Sequence, residues 1–433
     1  MDYIDFTIRA RDWRDGQFKV EVTGSPVDRM REPATVTYEE ATLERPLHNL
    51  ERKRIRLRHL IALGESLAGL LLPPTVRQML LRSLEAIGPE QGLRLRLVLD
   101  DPQIANLPWE YTYLHRAAGE KGRDGFLVLD PRISMVRHEA IPIAAGSTKA
   151  TRPLKLVVGL SSPTDAIPLN LEAERGFIKE ALVDVDGIEA IFVEHLTADK
   201  LVAACQGAHI FHFAGHGRFA WAADEAQGSG LVVLEDETGS SHPFPAENLA
   251  LTLRQAGVRL AVLGACETGR HDGVNVWSGV APALMRAGIP AAVAMQYEIY
   301  DDSSVVFGRR LYEALAAGMS LDEAVAAGRL AAFNLGGQDD VEWGVPVLYM
   351  RSADGLVFPG VTADPSLEAT RDQLRVTIRQ RVEELRGKLL GAEVAGLPAG
   401  RIKVIQEITT LDEGGQAIGF RAGQVDSGST ETN

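Results

Sequence analysis

Ala208-His209-Ile210-Phe211-His212-Phe213-Ala214-Gly215-His216-Gly217 is the stretch on which the fold turns. An apolar run of strand length ends in a Gly-His-Gly exit, as a buried parallel strand does when it delivers a reactive side chain to a cleft. Fifty positions later, Leu260-Ala261-Val262-Leu263-Gly264-Ala265-Cys266-Glu267-Thr268-Gly269 repeats the pattern with cysteine in the place of histidine. Adjacent parallel strands lie about 5 Å apart, so His216 and Cys266 can approach hydrogen-bonding distance. The thiolate is the nucleophilic form, and a neighbouring imidazole can take the thiol proton or stabilise the thiolate as imidazolium. Gly215 and Gly217 let the backbone bring His216 into the cleft, and the amides of Gly217 and Cys266 could together form an oxyanion hole.

The same alternation continues on either side. Strand-like runs at 154–160, 188–194, 208–213, 260–263, 291–295 and 345–350 are separated by helical segments, the pattern of parallel strands joined by crossover helices. The predicted fold is α/β, an open, mostly parallel six-stranded sheet with helices on both faces. Asn170 is placed to cap one helix, Gly288 with Pro290 behind it stops another, and residues 230–234 with the turn Glu237-Thr238-Gly239 suggest a hairpin at the rim.

Upstream, residues 1–150 read as an α/β module, with an alternating opening (Tyr3, Ile4, Phe6, Ile8), a helical stretch over 47–84, and strand-like runs at 93–99 and 126–129. Trp109 and Glu110 follow Pro108 in a strand-like context and read as packing rather than chemistry. The polar, proline-bearing residues 144–153 mark a boundary to a second domain over 151–360. Residues 361–433 are a third piece: an amphipathic helix striped by Leu367, Leu374, Ile378, Val382, Leu385 and Leu389, a hairpin over 402–422, and a disordered polar tail.

With 45% hydrophobic and 24% charged residues the chain is globular in composition. Its 45 basic and 59 acidic side chains give a net charge of −14, which disfavours nucleic acid as the principal partner. Cys205 and Cys266 are the only cysteines, too few for a secreted disulfide framework. The opening lacks a secretory signal pattern and no apolar run reaches spanning length, so the expected setting is cytoplasmic, with no membrane. No phosphate-binding Gly-x-x-x-x-Gly-Lys-Ser/Thr is present, and no cofactor or metal is implied. A rival reading takes His209, His212 and His216 as metal ligands, but residues three apart on a strand face opposite ways. Cys205 reads as core, and Trp277 as either groove lining or core cover.

The pair of exits resembles the caspase-like cysteine peptidases, whose histidine precedes an Ala-Cys nucleophile motif by about 50 residues. More closely, the chain resembles the bacterial CHAT-domain branch related to separase. The resemblance spans residues 90–352 and rests on Leu107-Pro108-Trp109-Glu110, His212 to Gly217, Leu263 to Gly269, the segment from Gly288 to Asp302, and Trp343-Gly344-Val345-Pro346. It implies His216 as general base, Cys266 as nucleophile, and the Gly217 and Cys266 amides as oxyanion donors. It also implies substrate-pocket positions at Ser161, Ser162, Gly264, Gln296, Tyr297 and Glu298. Gly264 stands where caspases carry Gln and metacaspases Asp, so neither cleavage preference carries over. Glu267, Glu298, Asp301 and Asp302 could make an acidic pocket, or the two aspartates could cap the helix that follows. The implied function is cleavage of protein or peptide substrates in bacterial stress or defence signalling, with the third piece docking a regulatory protein. The alternative is a CHAT scaffold that keeps the fold and not the chemistry.

Overall fold

The computed structural model describes residues 1–88, 90–114, 125–137, 150–220, 229–265, 277–337, 339–352, 354–361, 371–375 and 377. In chain order come β1 (Asp2–Arg14), β2 (Gln17–Gly24), β3 (Ala34–Thr37), α1 (Glu40–Glu51), α2 (Leu57–Leu71), α3 (Pro74–Ala86), β4 (Gln91–Leu99), α4 (Pro102–Ala105) and β5 (Ile133–Arg137). Then follow β6 (Leu154–Leu160), α5 (Leu171–Leu182), β7 (Ile188–Val193), α6 (Ala198–Ala204), β8 (Ile210–Gly215), β9 (Gly217–Ala220), β10 (Ser229–Glu235), β11 (Ser241–Pro245) and α7 (Ala246–Ala256). The last are β12 (Leu260–Ala265), α8 (Trp277–Ala287), β13 (Ala291–Met295), α9 (Asp301–Ala316), α10 (Leu321–Leu335) and β14 (Pro346–Met350).

Eleven of these strands form one sheet in the order β3-β2-β1-β4-β5-β14-β13-β12-β8-β6-β7. Seven of its ten pairings are parallel. Strands stand at all six places expected between residues 154 and 350, but the sheet does not end with them. β14, antiparallel to β13, pairs on its other edge with β5, and through β4 and β1 the sheet runs on to β3. Six strands was therefore an undercount: an unpaired β14 edge would expose a row of backbone donors and acceptors, and β5 satisfies them.

Alternation within the central strands sorts side chains into two cores. Leu156, Val158, Leu160, Ile210, Leu260, Val262 and Val293 share one with Ile178 of α5, Phe307 and Leu311 of α9 and Leu321 of α10. Val157, Phe211, Phe213, Ala261, Leu263 and Ala294 share the other with Leu201 of α6, Leu249 of α7 and Leu284 of α8. Each large side chain so buried contributes about 1.5–3 kcal/mol, and burial on both faces is why these strands read as nearly continuous apolar runs. Local signals hold where the sequence has them. The Asn170 side chain accepts from the Ala173 amide at 3.1 Å, Ser320 and Glu323 form a capping box on α10, and Gly288 follows α8 at φ 101°.

Two runs differ from expectation. Leu127–Leu129 is a 3-10 turn rather than part of a strand, as is Trp109–Tyr111. Both are buried throughout, so their apolar character reports burial and not strand period. The strand of that region is β5, whose Ser134 and Arg137 disguise it. Residues 371–375 and 377 are helical, within the helix expected from 367, and Leu374 is buried. The rest of that helix, the expected hairpin and the tail lie outside the described residues, as do residues 144–149 of the expected boundary. Among the described residues no single helix is long and apolar enough to cross a membrane. α2 and α3 pass that test only as a pair bent by 99°, and Leu60, Leu63 and Leu67 of α2 are core residues.

Candidate active site

β8 and β12 are hydrogen-bonded neighbours in parallel register, with Gly264 opposite Ala214 and Ala265 opposite Gly215. His216 is the next residue after Gly215, and Cys266 the next after Ala265. Cys266 and Glu267 lie outside the described residues. Gly215 allows the close approach at this exit: a Cβ there would stand 2.6 Å from the Phe213 ring and 3.0 Å from the Ser161 carbonyl oxygen.

His216 is only 4% exposed. Its Nε2 lies 2.7 Å from the Ile167 carbonyl oxygen, and a carbonyl only accepts, so Nε2 carries the proton and Nδ1 the ring lone pair. Burial depresses the imidazole pKa below its usual value, opposed by that hydrogen bond, while Arg218 depresses it further. The ring is thus neutral at pH 7, which general-base work requires.

The loop that offers the Ile167 carbonyl, residues 161–170, is tied down at several points. The Ser161 amide donates to the Ala214 carbonyl and its hydroxyl to that of Val233. The Ser162 amide donates to buried Glu235 at 2.9 Å, and its hydroxyl oxygen accepts from the Leu169 amide. Asp165 accepts from the amide and hydroxyl of Ser241, bonds that hold its carboxyl below the usual range, and the Thr164 amide reaches the Gly239 carbonyl. The rim hairpin predicted from sequence, β10–β11, is joined by β9 into a three-stranded sheet, and this sheet buttresses the loop. Gly217 opens β9 opposite Val232, and the Val233 amide donates to the His216 carbonyl.

The other expected pocket residues fall into two groups. Gln296 is buried, and its side-chain amide donates to Glu110 and to the Gly344 carbonyl. Glu110 in turn pairs with Arg137 at 2.8 Å, and Arg329 donates to the Trp343 and Pro346 carbonyls. The Leu107–Glu110 and Trp343–Pro346 motifs and the start of the 296–300 loop thus form one buried polar network. Tyr297 is also buried, whereas Glu298, Asp301 and Asp302 are exposed, the two aspartates in the first turn of α9, where acidic groups complement the helix dipole.

Gly264 lines a cavity of about 40 Å³ beneath the strand ends, with His212, Met295, Ile299, Ser304 and Tyr312 among its walls. His212 Nδ1 lies 2.7 Å from the Tyr312 hydroxyl, and burial pulls its pKa down to about 4. His209 faces elsewhere and accepts the Lys155 amide on Nδ1. Cys205 is buried, with its thiol pushed up to about 12, and Trp277 is 2% exposed against Phe213. His195, on the surface, contacts Glu235. Sequence reasoning missed Ile167, whose contribution is a backbone oxygen on an otherwise exposed apolar residue. It also missed Asp165 and Glu235, polar residues in loop and hairpin that only tertiary contact identifies.

The sheet is thus mostly parallel α/β, with β8 ending directly before His216 and its neighbour β12 ending directly before Cys266. The chain belongs to the CHAT domain family, whose model matches residues 62–352. Among solved structures it is similar to the Arg-specific cysteine proteinase gingipain R, at TM-score 0.41 and 13% identity over 72% of this chain and 77% of that one. It is likewise similar to the complex of Porphyromonas gingivalis RgpB pro- and mature domains, at TM-score 0.42 and 13% identity over 72% and 78%. Saccharomyces cerevisiae separase in complex with securin gives TM-score 0.37 and 13% identity over 65% of this chain and 17% of that one. No curated protein matches the sequence.

Proposed function

We propose that the chain is a caspase-like cysteine endopeptidase in which His216 and Cys266 form the dyad. The observation that carries the reading is the parallel pairing of β8 with β12, Gly215 opposite Ala265, which sets the two exits side by side. His216 Nδ1 takes the proton of the Cys266 thiol, and the thiolate attacks the scissile carbonyl carbon. The Gly217 and Cys266 amides hold the oxyanion, donors of a kind worth roughly 10²–10³ in rate. The imidazolium then protonates the leaving amine, and water, deprotonated by His216, hydrolyses the thioester. The Ile167 carbonyl fixes the tautomer and stabilises the imidazolium that forms.

Ser161, Ser162, Gly264 and the 296–298 segment, with Glu267, Asp301 and Asp302, are the substrate-binding candidates. The substrate is a protein partner in cytoplasmic bacterial stress or defence signalling. Residues 1–150, 151–360 and 361–433 act as the N-terminal module, the peptidase domain and the piece that recruits a regulatory protein. Removing 361–433 leaves the core folded and alters activation; a truncation that unfolds the chain refutes that division.

The test is cleavage of a diverse peptide library by the wild type and by Cys266→Ala, with and without cell extract. Cleavage by the wild type alone is the expected result. Cleavage that survives Cys266→Ala refutes the thiol mechanism, and silence in every condition favours the scaffold.

A further inference from the structure

The segment Arg52-Lys53-Arg54-Ile55-Arg56-Leu57-Arg58 places five cations within a chain of net charge −14. It joins α1 to α2 and precedes the family-matched residues, which begin at 62. The structure divides its side chains sharply. Lys53 turns inward, its ammonium 2.8 Å from buried Glu342 and 3.5 Å over the Tyr300 ring, and Ile55 is 3% exposed. Arg52, Arg54, Arg56 and Arg58 are exposed, and among the described residues none of their guanidinium groups has an ion-pair partner.

Beside them lies an open groove of about 390 Å³, within the size range of ligand clefts. Arg56 and Arg58 rim it, and Leu57, Ile61 and Ala62 supply an apolar floor. At the start of α2, Asp339 accepts the Leu57 amide at 2.8 Å, and Glu65 is the other acid on the groove. Asp339 and Glu65 thus balance Arg56 and Arg58 on the groove itself, and the local excess of positive charge comes from exposed Arg52 and Arg54 next to it in the chain. Four cations crowded together repel one another, and the anchors at Lys53, Ile55 and Leu57 keep them from dispersing by fixing the backbone that carries them. Such a fixed surface lowers the ordering cost of binding an anion.

We propose that this groove docks an acidic peptide segment of a partner protein, carboxylates on Arg54, Arg56 and Arg58 and an apolar side chain on the Leu57–Ile61 floor. A peptide fits better than nucleic acid for two reasons. The floor is aliphatic and offers no aromatic face on which a base could stack, and the charge of the whole chain repels a long polyanion.

The test is fluorescence anisotropy with the full-length protein and a short labelled peptide alternating glutamate with leucine. Its glutamine and lysine counterparts and a single-stranded RNA of similar length serve as comparison probes. The expected result is saturable binding of the glutamate peptide alone, weakened by salt and reduced roughly tenfold or more by combined Arg54→Glu, Arg56→Glu and Arg58→Glu. Arg9→Glu, on the exposed face of β1, leaves binding unchanged, and circular dichroism checks that the triple variant is folded. Should charge reversal unfold the chain, the combined Arg→Gln variant gives the same reading. No binding of the glutamate peptide, binding that ignores the substitutions, or tighter binding of RNA each overturns the proposal. The readout is independent of peptidase activity.

Discussion

Gly215→Ala introduces one methyl group at the point where β8 leaves the sheet. The new Cβ would stand 2.6 Å from a Phe213 ring carbon and 3.0 Å from the Ser161 carbonyl oxygen, against an ordinary carbon contact of about 3.5–4.0 Å. Neither neighbour can yield easily. Phe213 is 1% exposed, stacked 6.3 Å from Phe211 and edge-on 6.3 Å from Trp277, and the Ser161 amide is held by donating a hydrogen bond to the Ala214 carbonyl. Overpacking of this kind costs about 1–3 kcal/mol, offset by about 0.4–1 kcal/mol from the stiffer unfolded chain. Gly176, within α5, has nothing within 4 Å of the point a Cβ would occupy, so Gly176→Ala stabilises by about 0.5–1 kcal/mol. Urea unfolding of both variants therefore gives shifts of opposite sign, with Gly215→Ala also losing peptidase activity through displacement of His216. A Gly215→Ala variant as stable as wild type refutes the packing argument at this exit.

Other consequences are equally specific. His212 is held neutral in the fold down to about pH 4, whereas the unfolded imidazole titrates near 6.5, so its contribution is full above 6.5 and lost as pH falls toward 4. That loss is roughly 2 kcal/mol by pH 5, and the difference in stability between pH 7 and pH 5 should shrink by that amount in His212→Gln; an unchanged difference refutes it. Asp165→Ala frees the 161–170 loop from Ser241, so kcat falls several-fold with little change in the unfolding midpoint, and kinetics matching wild type would discount the loop's role. Glu110→Ala leaves the Arg137 guanidinium buried beside no carboxylate and costs about 3–5 kcal/mol, part of which Arg137→Met returns in the double variant; additivity of the two single changes would contradict the coupling.

What the sequence made legible was local. The inner strands β6, β8, β12, β13 and β14 are apolar because both faces are covered, and Asn170 and Gly288 act within a turn of their helices. The adjacency of β8 and β12 followed from equivalent exits, Gly215-His216 and Ala265-Cys266. The joining of β1 and β4 to the same sheet left no local trace, since parallel pairing between distant segments is fixed only by the packed fold. β5 was hidden because Ser134 and Arg137 find their partners, Asp322 and Glu110, 188 and 27 residues away in the chain. The Ile167 carbonyl had no signature at all, since every residue carries one.

The dyad itself is tested most directly by the pH dependence of Cys266 alkylation with iodoacetamide, followed by mass spectrometry in the native wild type and in His216→Gln. Cys205, buried with its thiol pushed up to about 12, is the internal control and stays unmodified. In the wild type, Cys266 should react well below the free-thiol range near pH 8.5, and His216→Gln should return it to that range. Alkylation along the ordinary thiol curve in both proteins would contradict the pairing of His216 with Cys266.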